Sequence, residues 1–224
     1  MLTTLNDIFH ILLDLDLYLE IIINTYPLGA YLIIGLLLFA EPGLFMPYLP
    51  GDTVIFIAAT FATTDALSYP LLWLTIFIFS VLGDTLNYGM GYWFGHYITQ
   101  RKNRRFIKNN HLEQTRQFYQ KYGGKTILFS RYIPVIRSFA PFLGGVGELP
   151  FKKYLLFDLL GVFLWSGLYL NLGYFFGAIP WVQDNLAIVI PVVVVGTMIP
   201  AFIVTRVTKK DMQKDMQKEP NKAE

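Results

Sequence analysis

Twenty consecutive residues, Leu186–Thr205, carry no charge, and about that many are needed for a helix to cross a bilayer. Two longer apolar runs precede them. Tyr69–Ile98 holds one acid, Asp84, and Tyr154–Ala178 holds one, Asp158, near its start. A helix over 69–98 would be roughly 45 Å long, more than the ~30 Å hydrocarbon core, so it tilts or protrudes. Only 15% of the chain is charged, against about 25% in a soluble domain. A soluble all-α protein with buried helices would need many more surface charges, so the hydropathy rule reads an integral membrane protein.

Two other apolar regions are badly built for spanning. Leu28–Ala40 runs into Glu41-Pro42-Gly43; Leu44–Leu49 then runs into Pro50-Gly51-Asp52 before Thr53–Ala62. Thr126–Gly147 is interrupted by Arg131, Pro134, Arg137, Pro141 and Gly144-Gly145. Pro removes a backbone donor and Gly adds backbone freedom, so both end helices. Each remaining piece is too short to cross. Both regions read as re-entrant hairpins, shaped by Pro42, Gly43, Pro50 and Gly51 in the first and by Pro134, Pro141, Gly144 and Gly145 in the second. Such backbone survives at membrane depth only when buried in protein or lining a wet cavity.

The basic residues give an orientation. Residues 1–100 contain eight acids and no Lys or Arg. Residues 101–125 contain eight Lys/Arg against Glu113 alone; Lys152-Lys153 and six Lys/Arg in 206–224 supply most of the rest. The positive-inside rule places these three stretches in the cytoplasm. The expected order is an outer surface segment (1–27), hairpin one (28–65), a span (69–98) and a cytoplasmic basic segment (101–125). Hairpin two (126–147), spans 154–178 and 186–205, and a charged cytoplasmic tail (206–224) follow. The positive n-region of a cleaved signal peptide is missing.

The chain also looks duplicated. Gly91-Tyr92-Trp93-Phe94-Gly95 and Gly173-Tyr174-Phe175-Phe176-Gly177 lie 82 positions apart, and Leu38-Phe39-Ala40-Glu41 and Leu128-Phe129-Ser130-Arg131 lie 90 apart. With the long helices running in opposite directions, this is the pattern of an inverted repeat, whose broken segments pair at a midplane site. The motif glycines themselves read as helix-packing residues. The expected fold is therefore an all-α integral membrane protein with two facing re-entrant hairpins and additional spans.

Ionisable groups at membrane depth are costly unless paired or hydrated. The candidates are Glu41 and Asp52 in the first hairpin, Arg131 and Arg137 in the second, and Asp84. Tip to tip, two carboxylates would balance two guanidinium groups. A guanidinium fork matches phosphate oxygens bidentately and keeps its proton, whereas a carboxylate can gain one. Arg131 and Arg137 are thus the candidate phosphate ligands and Glu41, Asp52 and Asp84 the candidate proton-coupling groups. Asp84 with Asn87, one turn on, extends a polar path or joins helices by hydrogen bonds. Asp158, beside Lys152-Lys153, reads as a snorkelling surface charge. The same four hairpin charges also fit a buried ionic clamp that only sets register.

Several classes lack support. There is no cysteine, which removes disulfides, thiolate metal sites and thiol catalysis. His10, His96 and His111 do not cluster, so no metal or other cofactor is expected. A net charge of +2 gives no reason to invoke nucleic acid. Ser130-Arg131 with Arg137 resembles part of a lipid phosphatase signature but lacks the His nucleophile, and neither a P-loop nor a nucleophile elbow is present. The chain reads as a non-enzyme.

At these residues the sequence resembles the DedA family, also called SNARE-associated or VTT-domain proteins, over roughly 5–205. The carrying segments are Phe39–Leu44, Leu49–Thr53, Gly83–Tyr88 and Lys121–Thr126, with Ser130–Phe142 containing R-(F/Y)-x-P-x-x-R intact, and Gly173–Gly177 with Pro180–Asn185. The resemblance implies a multi-pass bacterial inner-membrane protein with two facing re-entrant loops, linked to lipid translocation. Bacterial members recycle undecaprenyl phosphate or move phospholipids, some using the proton-motive force; eukaryotic relatives are scramblases. The family's essential acidic pair maps onto Glu41 and Asp52 and its arginine pair onto Arg131 and Arg137. The expectation is a proton-coupled flippase of an anionic lipid phosphate, working with protons and the bilayer and compatible with a homo-oligomer. A proton-coupled ion or small-solute antiporter and a non-transporting scaffold are the alternatives.

Overall fold

The structure, a computed structural model, describes residues 21–23, 25–44, 51–100, 115, 117, 119, 122–185, 188, 189 and 192, except the side chains of 98–100, 134, 135, 183 and 184. The helices are α1 (Pro27–Gly43), α2 (Gly51–Phe61), α3 (Tyr69–Gln100), α4 (Gly124–Ser130), α5 (Pro134–Val146), α6 (Phe151–Gly177) and the short α7 (Pro180–Asp184), with a 3₁₀ turn at Ala62–Thr64. No strand occurs among the described residues. The expectations for 1–20, Pro50, the basic residues 101–114, most of the span Leu186–Thr205 and the tail lie outside them.

Two helices, Tyr69–Tyr97 and Phe151–Gly177, are long and apolar enough to span a bilayer. Only 28% and 39% of their most apolar stretches are buried, unlike the core helices of a soluble protein. Their outer faces carry Leu71, Leu74, Ile78, Leu82 and Leu86 on α3, and Leu156, Leu160, Phe163, Leu164 and Phe175 on α6, all exposed. An apolar surface this continuous suits a hydrocarbon environment.

Buried apolar side chains form two clusters. The first joins α1 and α2 to Leu72 and Ile76 of α3 and to Trp165, Tyr169 and Leu170 of α6. The second joins Ile127 of α4 and Ala140 of α5 to Tyr88 of α3 and Tyr154 of α6, with Tyr119 and Leu149. Chain order therefore takes α3 from the first cluster to the second and α6 from the second to the first, so the long helices are antiparallel. The buried polar residues of α3, namely Ser80, Asp84 and Asn87, fall between its two apolar ends. On α6 the buried Asp158 likewise falls between Tyr154 and Trp165.

Each long helix is crossed by one arm from each broken region: α3 packs on α1 and α5, and α6 on α2 and α4. Small residues make the crossings tight. A Cβ on Gly91 would meet Phe142 O at 2.0 Å, and one on Gly173 would meet Phe56 O at 2.6 Å. The motif glycines are packing residues, as their spacing suggested.

The breaks are fewer than the Pro and Gly count implied. In the second region the helix is interrupted only at 131–133, just before Pro134. Pro141, Gly144 and Gly145 lie inside α5 without ending it. Pro141 merely removes the donor that would meet the Arg137 carbonyl. Gly145 serves the crossing, since its Cβ would lie 2.2 Å from Tyr88 O. In the first region α1 continues through Glu41 and Pro42 to Gly43; Pro42 costs little there because few turns follow it.

Candidate functional site: two arginine-centred clusters

Between the apolar clusters lie two arginines, each gripping two acids. Arg137, on the first turn of α5, donates through Nε to Glu41 Oε1 at 2.9 Å and through Nη2 to the same oxygen, while Nη1 reaches Asp52 Oδ1. Glu41 lies in the last turn of α1 and Asp52 in the first turn of α2, so one guanidinium ties the second broken region to both arms of the first. Arg131, in the break between α4 and α5, donates through Nη2 to Asp84 Oδ2 at 2.5 Å and through Nη1 to Asp158 Oδ1 at 2.9 Å. It ties the same break to both long helices.

This distribution corrects two expectations. Asp158 is not a surface charge: it is 0% exposed and bound to Arg131. Two acids do not balance two arginines either, because four carboxylates surround them. Glu41 and Asp52 both belong to Arg137, and Asp84 joins helices through an ion pair with Arg131. Asn87 joins helices by hydrogen bonds. Its Nδ2 donates to Ser138 O at 2.8 Å and to Pro42 O, stitching the end of α1 to α5 across α3.

Trp165 was not singled out by sequence reasoning. Its ring lies 4.9 Å from Arg137 Cζ and 5.3 Å from Arg131 Cζ, and its Nε1 donates to Asp52 Oδ1 at 3.0 Å. One indole thus stacks against both cations, a desolvated geometry that stabilises each by about 2 kcal/mol. The available signal was periodicity. Tyr154, Asp158, Gly161, Trp165, Tyr169 and Gly173 share one buried stripe of α6.

Local sequence explains the approach of the acids. A Cβ on Gly51 would meet Glu41 Oε2 at 2.1 Å, so only glycine leaves room for that carboxylate against α2. Glu41, Pro42, Asp84, Arg131, Arg137, Ser138 and Trp165 border a cavity of about 20 Å³, enough for one water. A larger open groove, about 510 Å³, runs along Tyr88, Tyr92 and the 148–151 turn.

The sequence profile of the VTT domain matches residues 49–175. The chain is 36% identical to Protein DedA of Escherichia coli K12 over 88% of its own length and 93% of that protein's. It is 32% identical to an uncharacterized membrane protein of Mycobacterium leprae over 75% of both chains. It is 25% identical to the Inner membrane protein YqjA of Escherichia coli K12, over 72% of this chain and 74% of the other. No solved structure matches.

Proposed function

The chain belongs to the DedA, or VTT-domain, family of membrane proteins, and we propose that it is a proton-coupled translocase of an anionic lipid phosphate. Undecaprenyl phosphate or a phospholipid, moved from the outer to the inner leaflet, is the substrate class this reading favours. The observation that carries it is the Arg137 cluster. A bidentate cation is held, deep among apolar helices, by two carboxylates that a phosphate can replace.

The mechanism runs as an exchange of anions. In the empty state Glu41 and Asp52 hold Arg137. A proton taken up from outside cancels one carboxylate charge, weakens the grip and frees the guanidinium for the phosphate. Loss of the proton to the cytoplasm restores the pair and expels the headgroup. The 20 Å³ cavity has room for a water but not for a phosphate, so the clusters must part before the headgroup is admitted. The open groove beside Tyr92 and Phe151 suits an acyl or prenyl chain left in the bilayer.

Re-entrant hairpins and an inverted repeat belong to this reading. Exchanging α1, α2 and α3 for α4, α5 and α6 maps the packing of α3 on α1 and α5 onto that of α6 on α4 and α2. Such an exchange supports two related halves meeting at the clusters. The inner membrane, with the basic segments in the cytoplasm, is the location that fits the charge asymmetry. One observation favours a second reading, the ionic clamp: Arg131 and Arg137 are each already paired with two carboxylates. Native mass spectrometry of gently extracted protein separates the two. A lipid phosphate should co-purify with the wild-type chain and be lost from Arg137→Lys, whereas a clamp binds none.

A further inference from the structure

We propose that Asp84 and Asp158 share one proton at neutral pH, making this carboxyl pair a buried proton-binding site distinct from the Arg137 cluster. Both side chains are buried, at 2% and 0% exposure, and both contact the single guanidinium of Arg131. One positive charge therefore faces two buried carboxylates. Two carboxylates sharing a site retain one proton between them. Asp158 Oδ2 is buried without a hydrogen-bond partner, and the two carboxylates occupy the two Nη atoms of one guanidinium. A proton on Asp158 Oδ2 would make the cluster neutral.

The second nearby cation, Arg137, is not bonded to either aspartate. Asp84 comes from α3, Arg131 from the break after α4, and Asp158 from α6. The other ionisable neighbours are Glu41 and Arg137, which border the same cavity as Asp84 and Arg131, Tyr88 and Tyr154, whose rings stack at 4.2 Å, and Tyr132 beside Arg131. Arg137 is taken by Glu41 and Asp52. The Tyr154 hydroxyl, one turn before Asp158, is also buried and unpartnered; it is a neighbour able to pass the proton or accept from it. The Arg137 cluster differs, because there Asp52 receives a second donor, Trp165 Nε1.

The site would supply a second proton to the translocation cycle, and in that role it rests on the translocase reading. Its occupancy does not. Infrared spectra of the full-length protein in lipid nanodiscs at neutral pH should contain a protonated-carboxyl C=O band. The band should shift when aspartate carboxyls carry ¹³C, stay put when glutamate carboxyls do, and survive Asp52→Asn. Asp158→Asn should abolish it. The isotope measurements need no variant, so they stand if Asp158→Asn does not fold. Absence of the band at neutral pH, a shift with labelled glutamate only, or loss in Asp52→Asn would overturn the proposal. Failure of lipid transport with the band intact would sink the translocase reading alone.

Discussion

Trp165 Nε1 lies 3.0 Å from Asp52 Oδ1, the same oxygen that Arg137 grips, so a tryptophan in the middle of α6 holds an acid at the start of α2. That hydrogen bond and the two cation contacts can be separated by substitution. Trp165→Phe keeps a ring against both guanidinium groups and loses the donor; Trp165→Leu loses both. We expect a loss of about 1.5–3 kcal/mol for the first, the range for a hydrogen bond to a charged group, and a larger loss for the second. Thermal unfolding in detergent checks the order; equal losses would show that the indole acts by volume alone.

Arg137→Lys retains the charge and discards the fork. A single ammonium cannot satisfy the Nε, Nη1 and Nη2 contacts together, and one carboxylate is left buried without its partner. A broken buried pair costs about 3–5 kcal/mol. Adding Glu41→Gln should recover part of that loss, because it removes the stranded charge. The double-mutant cycle should give a coupling above about 0.5 kcal/mol; additivity would place the two residues apart.

Glycine substitutions test the helix crossings within one helix. Gly91→Ala puts a methyl 2.0 Å from Phe142 O, while a Cβ on Gly89 meets nothing within 4 Å. Overpacking of this kind costs about 1–3 kcal/mol, so Gly91→Ala should lower the melting temperature. Gly89→Ala should leave it unchanged or raise it, since alanine is the better helix former by up to about 1 kcal/mol.

Asn87 stitches two carbonyls with one amide nitrogen. Asn87→Asp keeps the shape but turns the donor into an acceptor facing Pro42 O and Ser138 O. It should destabilise the protein more than Asn87→Ala, which only leaves the carbonyls unmet. Unfolding midpoints in the opposite order would contradict the stitch.

Much of this site was legible in the sequence, because isolated charges in apolar runs are conspicuous. Glu41, Asp52, Arg131 and Arg137 stood out for that reason, and they do converge. Their pairing was not legible. Asp158 sits five residues after Lys153, so linear proximity suggested a surface ion, yet helical rotation carries it onto the stripe that holds Trp165 and Gly173. The breaks were over-read for a related reason: Pro and Gly weaken a helix locally, but Gly145 is there to let α3 approach, and Pro141 is tolerated within α5.

The most direct test of the central claim is flipping of a headgroup-labelled lipid phosphate in proteoliposomes under an imposed proton gradient. The account expects wild-type protein to accelerate flipping, collapse of the gradient to slow it, and Arg137→Lys or Glu41→Gln to abolish it. Wild-type rates from either variant, or flipping indifferent to the gradient, would contradict it.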